Sequence, residues 1–448
     1  MKHNRRLGGL YALLFCLALG GSVSAGQEAE EESGHPENAP VSGYFDLRYQ
    51  YRGSEDYLDR DLVQSVSLDF GEEGVSLVSG HLHAQGYADL DLDTAAEDGA
   101  VFRDTYNDKV DARLFLAYLD VNSQAPPGLF RAGRQEIYQS PVFVHFDGIR
   151  LEAGERPGIK LKAGAYGGKP VRDIYETDTD NDGALAGAYL ESRPWRGGRA
   201  HLHWTYLHEE YDDVEVEDNY YSLSLSQALY QRLRFRAVYS RVNDLNRDLT
   251  ISGSLAVPES EFALRVSYYE LLEKQEFTGV DLDYYYSALF NYQPYRQGGI
   301  WLHQGFNRVA AIDAGADFRE LTGSEDETAY NHEFAHYFAV LSLMPYEGLT
   351  LSASGDRFDA RDDSLDTTAY GGDVTYRHDK KFRVSVGSYY ALYEYDYLLD
   401  DEQTDVRNYY ARLRWRPLDN FRLDVGYEYE DTEEADYTTL KLKAAVYF

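Results

Sequence analysis

The sequence predicts an all-β fold, a transmembrane antiparallel up-and-down β-barrel of about 22 strands. Three observations carry this prediction. Apolar and polar residues alternate along most of the chain, short turns alternate with longer acidic connections, and the 448 residues include 41 tyrosines. Alternation puts successive side chains on opposite faces of a strand, so that one face can meet lipid and the other water.

The charge and hydropathy of the chain exclude several other classes of protein. The net charge is -34, from 43 basic and 77 acidic residues, and this argues against a nucleic-acid partner, whose phosphates require basic patches. The mean hydropathy of -0.54 excludes a bundle of membrane-spanning helices. A barrel tolerates this value because only every second strand residue must be apolar. The single cysteine, Cys16, excludes an internal disulfide framework and a thiolate metal site.

The beginning of the chain has the pattern of a secretory signal peptide. Residues 1–25 start with Lys2, Arg5 and Arg6, continue with an apolar run, and end on the small residues Ser24 and Ala25. We expect residues 26–41 to be an acidic periplasmic leader and residues 42–448 to be the barrel. A leader this short leaves no room for a plug domain, and the expected location is the outer membrane of a Gram-negative bacterium.

The alternating pattern of the strands predicts which residues face the lumen. In the last segment, Leu440 and Leu442 alternate with Lys441 and Lys443. Arginine or lysine at every second position needs water on that side of the wall. The channel-lining candidates are Arg131, Arg150, Arg234, Arg236, Arg412, Arg414, Lys441 and Lys443.

The connections between strands give the strand number. Barrels of this kind have short periplasmic turns and longer outer loops. Ten short turns and eleven longer loops require 22 strands, and the weaker signals before residue 71 leave 20 or 24 open. A loop at 307–329 is expected to fold inward and narrow the channel. The short turns are predicted at 71–74, 122–128, 154–158, 194–198, 230–232, 257–260, 294–299, 345–348, 377–381 and 416–420.

Two motifs resemble metal sites. His332 and His336 fit the H-E-x-x-H zinc motif, which requires a helix, whereas the alternation after His332 predicts a strand. On a strand the two histidine Cα atoms would be about 13 Å apart, too far to share a metal ion. Asp178, Asp180 and Asp182 imitate the start of a calcium loop, and they are either a weak calcium site or a solvated loop tip.

No catalytic or cofactor motif is found elsewhere in the sequence. There is no nucleophile-elbow G-x-S-x-G frame, and no C-x-x-C-H sequence that would attach a haem. We therefore expect a protein that is not an enzyme and that carries no cofactor of its own.

One hairpin resembles a known family. The segments 130–135, F-R-A-G-R-Q, and 146–151, F-D-G-I-R-L, resemble the G-R-Q and F-D-G-x-R pattern of alginate-export-like and related porin-type outer-membrane barrels. The resemblance covers about one hairpin and implies a porin-type barrel. It does not extend to the alginate substrate, because the long insertion usual between the two motifs is absent.

The register of this hairpin can be derived from the residues. If the hairpin closes around Ser140 and Pro141, Arg134 lies opposite Asp147, and Arg131 lies opposite Arg150. We expect Arg134 and Asp147 to form a structural salt bridge, with contact to substrate as the second interpretation. Strict alternation turns this pair outward unless a bulge intervenes.

These observations favour a channel for the passive passage or export of hydrophilic solutes. The alternative is a barrel sheath that houses a multihaem cytochrome and carries electrons across the outer membrane. The expected partners are outer-membrane lipid, lipopolysaccharide and, through the C-terminal Phe448, the barrel-assembly machinery. The solute, the oligomeric state and the occupant of the lumen stay open at this stage.

Overall fold

The described strands form one closed antiparallel sheet of 22 strands. The computed structural model describes residues 41–54, 58–90, 110–123, 128–138, 143–154, 160–171, 183–211, 214–230, 232–274, 294–323, 333–360, 366–396, 401–432 and 436–448. The leader and the signal peptide predicted for residues 1–40 lie outside these ranges. Val41, predicted as the last leader residue, is the first residue of the barrel.

The strands follow one another around the barrel in chain order. The helical element of the described residues is a single 3-10 turn, Pro258–Ser260. Among these residues there is no helix that is long and apolar enough to cross a membrane. The strands are β1 Val41–Gly53, β2 Leu58–Phe70, β3 Val78–Asp89, β4 Val110–Asn122, β5 Leu129–Ile137, β6 Val144–Ala153, β7 Leu161–Pro170, β8 Ala184–Ser192, β9 Gly198–Tyr211, β10 Val214–Leu229, β11 Leu233–Val242, β12 Leu245–Val257, β13 Phe262–Leu271, β14 Tyr295–Phe306, β15 Ala310–Leu321, β16 Phe334–Tyr346, β17 Leu349–Ala360, β18 Thr367–His378, β19 Phe382–Asp396, β20 Asp401–Leu418, β21 Phe421–Asp431 and β22 Asp436–Tyr447.

The barrel closes where β1 pairs with β22. Their register runs from Tyr44 opposite Tyr447 to Gly53 opposite Thr438. Beyond the ladder, the Gly43 N–H donates to the Phe448 carbonyl at 2.9 Å, and the Phe448 N–H donates back at 3.1 Å. Closure leaves neither β1 nor β22 as an open edge.

The two faces of the wall differ in chemistry, as the alternation predicted. Residues that are partners across antiparallel strands share a face, and one face carries Asp46 with its partners Ser65 and Ala445. The other face carries large apolar side chains that are exposed, which is the arrangement of a barrel with lipid outside and water inside. Outer-face residues include Leu119, Leu202, Ile251, Ile300, Leu341, Val374, Val386 and Trp415.

The predicted count of 22 strands is confirmed, and nine of the ten predicted short turns connect consecutive strands. The turn predicted at 294–299 is wrong, because these residues begin β14, and the short connection lies at 307–309. Gly298 and Gly299 suggested a turn, but Gly299 makes room within the sheet. A Cβ there would lie 2.2 Å from the Asp317 carboxylate and 2.9 Å from the Ser267 hydroxyl.

The inward-folding loop predicted at 307–329 is also wrong. Residues 310–321 form β15, which pairs along its whole length with β14. The strand total is unchanged because the longer connections lie at 272–294 and 322–333, on either side of this hairpin.

Glycines on the inner face of β7 and β8 make room for tyrosine rings. A Cβ on Gly164 would lie 2.3 Å from the Tyr189 ring, and a Cβ on Gly187 would lie 2.1 Å from the Tyr166 ring. The rings therefore lie flat over neighbouring backbone, which covers glycines that would otherwise weaken the strands.

The β5–β6 hairpin has the register derived from the sequence. Arg131 lies opposite Arg150 and Arg134 opposite Asp147, with no shift between β5 and β6. Arg134 and Asp147 consequently share the outer face. The Arg134 Nε donates to Asp147 Oδ1 at 2.9 Å, and its Nη2 donates to Oδ2 at 2.7 Å.

Arg134 also acts where the ladder between β4 and β5 ends. The pairing stops at Ala117 opposite Arg134, next to Gly133, whose φ of +125° is strained for any other residue. The Arg134 Nη1 donates to the Leu114 carbonyl at 2.8 Å. This side-chain bond stands in for a main-chain bond of the ladder.

The double-mutant cycle of Arg134→Gln and Asp147→Asn measures the contribution of this pair to barrel stability. Each single variant should lower the heat-denaturation midpoint, and the coupling should be about 1 kcal/mol, the upper range for partly exposed ion pairs. The midpoint is measured by heating the purified barrel and following loss of β-sheet circular dichroism. Strictly additive losses would show that the two side chains do not stabilise each other. The second interpretation, contact with substrate in the lumen, is wrong, because the register places both side chains on the outer face.

Candidate pore lining

The inner face contains all eight of the lysines and arginines selected from the sequence. Each shares a face with Asp46 when the register is followed from strand to strand. Their surroundings, however, divide them into three sets.

Arg131 belongs to a closed ion-pair network. Its Nε donates to Asp120 at 2.7 Å and its Nη2 to Glu73 at 2.5 Å, and its guanidinium lies 3.7 Å from the centre of the Tyr118 ring. The Arg131 side chain is 7% exposed and that of Asp120 is 1% exposed. Because two carboxylates neutralise it, Arg131 contributes to the wall and offers no free charge to a solute.

Arg150 is paired but not fully neutralised, because it shares one carboxylate, Glu152, with Lys162. It donates to Glu152 at 2.8 Å and to the Tyr189 hydroxyl at 2.9 Å, while Lys162 contacts Glu152 at 2.5 Å. The inner wall around it is packed with buried side chains. These are Ile137, Val144, Phe146, Tyr166, Leu185, Tyr189, Leu207, Tyr220 and Val242.

Arg234 and Arg236 form the second set, on a serine-rich part of the wall. Both are exposed. Arg236 lies between Ser226 and Ser252, and Arg234 has Ser254 as its partner on β12. No ion pair to either arginine is recorded in the described part of the chain, so their charges face the lumen.

Arg412, Arg414, Lys441 and Lys443 belong to the third set, which we call the basic wall. It is the part of the inner face of β19–β22 and β1 that lies around two rows of cross-strand partners, and it contains three further cations. One row of partners runs Arg383, Arg414, Asp424, Lys443, Arg48, and the next runs Ser385, Arg412, Gly426, Lys441, Gln50. The seven cations of the basic wall are Arg48, Arg383, Arg412, Arg414, Arg422, Lys441 and Lys443.

The two rows of the basic wall hold six cations and one carboxylate over ten positions. That carboxylate, Asp424, accepts from Arg414 Nε at 2.8 Å and from Arg422 Nε at 2.7 Å. Neighbouring strands are about 4.8 Å apart, so each row spans roughly 19 Å of wall. A dissolved anion passing this surface meets several cations at once.

Arg412 and Lys441 are the cations of this wall that are best placed to act on a solute. Both are exposed, and Arg412 lies 4.8 Å from the centre of the Tyr410 ring. Neither has a carboxylate partner recorded among the described residues. Lys443, by contrast, lies next to Asp46 and Asp424.

Three members of the basic wall were not among the channel-lining residues predicted from the sequence. Arg48, Arg383 and Arg422 each occupy an alternating segment, so the same test would have found them. What the sequence does not contain is the register that sets them beside Arg414 and Lys443. That register joins the two ends of the chain.

Of the histidines and aspartates in the two metal-like motifs, His336 alone lies within the described residues. His336 lies on β16, where its Nε2 is 2.8 Å from Asp356 and its Nδ1 is 3.5 Å from Asp317. Within the described ranges there is no group of three or more metal-ligating side chains. His332 and the candidate calcium ligands Asp178, Asp180 and Asp182 lie outside those ranges.

The chain is similar in fold to known outer-membrane barrels. No protein-family model and no curated protein matches the sequence. The P pilus usher (PapC) translocation pore superposes with a TM-score of 0.53 at 10% identity, over 91% of this chain and 99% of that chain. OccAB4 of Acinetobacter baumannii gives a TM-score of 0.43 at 10% identity, over 92% and 99%. OpdK of Pseudomonas aeruginosa gives 0.41 at 10% identity, over 93% and 100%. At 10% identity the similarity to the usher pore establishes the fold alone, a closed β-barrel.

Proposed function

We propose that the protein is a passive porin-type channel of the outer membrane that passes hydrophilic solutes and favours small anions. The observation that carries this proposal is the basic wall, with six cations and one carboxylate over ten adjoining inner-face positions. The barrel fold and its apolar outer face support the location.

The basic wall has the opposite charge to the whole chain. The net charge of -34 would repel anions from the protein at long range. Salt screens exposed charges beyond about 8 Å at physiological ionic strength, so a solute inside the barrel responds to the nearest wall. Selectivity then depends on the exposed cations Arg234, Arg236, Arg412 and Lys441, because Arg131 is neutralised and Arg150 is held by Glu152 and Tyr189.

Single-channel recording of the purified barrel in a planar bilayer tests the channel itself. A porin should show stable steps of modest conductance and a reversal potential in a KCl gradient that indicates preference for chloride. A very large, unselective leak would contradict the proposal and support the alternative of an unfilled sheath for a multihaem cytochrome.

Charge reversal on the basic wall tests the origin of the anion preference. Arg412→Glu and Lys441→Glu should each lower the chloride-to-potassium permeability ratio by up to about thirtyfold at low salt, since reversal changes two unit charges and each is worth about 1 kcal/mol at 4 Å in water. The effect should diminish as salt concentration rises.

The matched controls carry the same charge changes on the outer face. Arg296 pairs with Glu270 and Glu320 on that face, and Lys169 is the neighbour of Asp147. Arg296→Glu and Lys169→Glu should leave the ratio unchanged. An equal shift in the controls would mean that selectivity follows net charge and not the basic wall.

A further inference from the structure

The outer face of β8–β11 contains a groove that the channel function does not use. Its volume is about 520 Å³, within the usual range for small-molecule sites. Two adjoining rows of four residues line it. The first row is Ala188, Trp204, Tyr221 and Arg241, and the second is Leu190, Leu202, Leu223 and Tyr239.

The groove is apolar along its length and has a cation at one end. Leu190, Leu202, Tyr221 and Leu223 are 38–51% exposed, so their apolar surface is open to the surroundings of the barrel. Ala188 is the smallest side chain in the two rows, and it leaves space beside Trp204. Arg241 stands one residue from the end of β11 and faces the same side.

Polar atoms concentrate at the Arg241 end. The Trp204 Nε1 donates to Asn219 at 3.1 Å, and the Tyr239 hydroxyl donates to Asn246. Rings with an apolar body and a polar tip take this orientation at the boundary between acyl chains and headgroups. The groove therefore runs from a headgroup-level rim into the apolar zone.

The guanidinium of Arg241 has donors to spare. Its Nε donates to the Asn243 carbonyl at 2.8 Å and its Nη2 to Asp244 at 2.9 Å, and no acceptor for its Nη1 is recorded in the described residues. Asp244 is fully exposed, so this ion pair is weak. An arginine held in place at headgroup level can bind a phosphate through two parallel N–H groups.

We propose that this groove is a binding site for a membrane lipid whose phosphate headgroup has a net negative charge, with one acyl chain along Ala188 and Trp204 and the phosphate on Arg241. The site lies outside the lumen, so it is independent of what the channel carries. Charge complementarity at Arg241 and the apolar lining together distinguish a bound lipid from the bulk lipid that covers the rest of the outer face.

Tryptophan quenching by brominated lipid tests the proposal directly. Of the four tryptophans, Trp204 lies in the groove and Trp415 lies on the outer face of β20 away from it. Two single-tryptophan forms are made by changing the other three to Phe, and each is reconstituted with a small fraction of dibromo-acyl phosphatidylglycerol in unbrominated phosphatidylcholine. Quenching of Trp204 fluorescence should show that the groove prefers phosphatidylglycerol over phosphatidylcholine by about tenfold, equivalent to 1.4 kcal/mol. Quenching of Trp415 fluorescence should follow the overall lipid composition of the membrane.

Two variants separate the headgroup and chain contributions. Arg241→Gln should abolish the headgroup preference seen by Trp204, and Ala188→Leu should reduce quenching of Trp204 by filling the groove. The control Ala339→Leu adds the same volume to the outer face of β16 and should change nothing.

The preference should also appear in the unmodified protein. Native mass spectrometry of the wild-type barrel from mixed micelles should retain phosphatidylglycerol over phosphatidylcholine of the same chains, and Arg241→Gln should not. Equal quenching of Trp204 and Trp415, with no dependence on the headgroup, would overturn the proposal. Loss of chloride preference in the bilayer assay would not affect it.

Discussion

Every feature of this molecule depends on one constraint, the need to satisfy each backbone N–H and C=O group inside a layer that offers no water. A sheet meets this need within the membrane only when it closes on itself. The ladder between β1 and β22, extended by the two bonds between Gly43 and Phe448, removes the last open edge. Where the β4–β5 ladder stops short, the Arg134 side chain supplies a donor to the Leu114 carbonyl. The same constraint thus explains both the continuous strand pairing and the side-chain hydrogen bond from Arg134 where that pairing ends.

The alternation of apolar and polar residues predicted most of the fold. Period-two patterning fixes which face of each strand is apolar, and so the strand count and the positions of Arg412 and Lys441 on the inner face followed from local sequence. The error at 294–299 has a local cause as well. Pro294 and the pair Gly298 and Gly299 resemble turn residues, and only the neighbouring strand shows that the Asp317 carboxylate fills the space above Gly299.

The pore lining was harder to predict than the wall, because charge compensation is not local. Arg131 and Arg412 look alike in sequence, each alternating with apolar residues. Arg131 is neutralised by Asp120 on the adjacent strand and by Glu73, a residue 58 positions away in a turn between other strands. Arg412, in contrast, faces Gly426 and Ser385. Likewise, the basic wall exists because β22 returns to β1 and sets Lys443 beside Arg48. A free charge and a buried one differ in their neighbours across the sheet, and those neighbours come from distant parts of the chain.

The closure between β1 and β22 has a consequence for the order of assembly. Tyr44 and Tyr447 are partners separated by nearly the whole chain, so this ladder has the greatest sequence separation of any pairing in the barrel. All other pairings join consecutive strands, and closing their shorter loops costs less entropy. Until the final strand arrives, the growing sheet carries two unpaired edges at β1 and at its advancing end. The time between synthesis and closure is therefore the interval in which unpaired strand edges make the protein most open to aggregation.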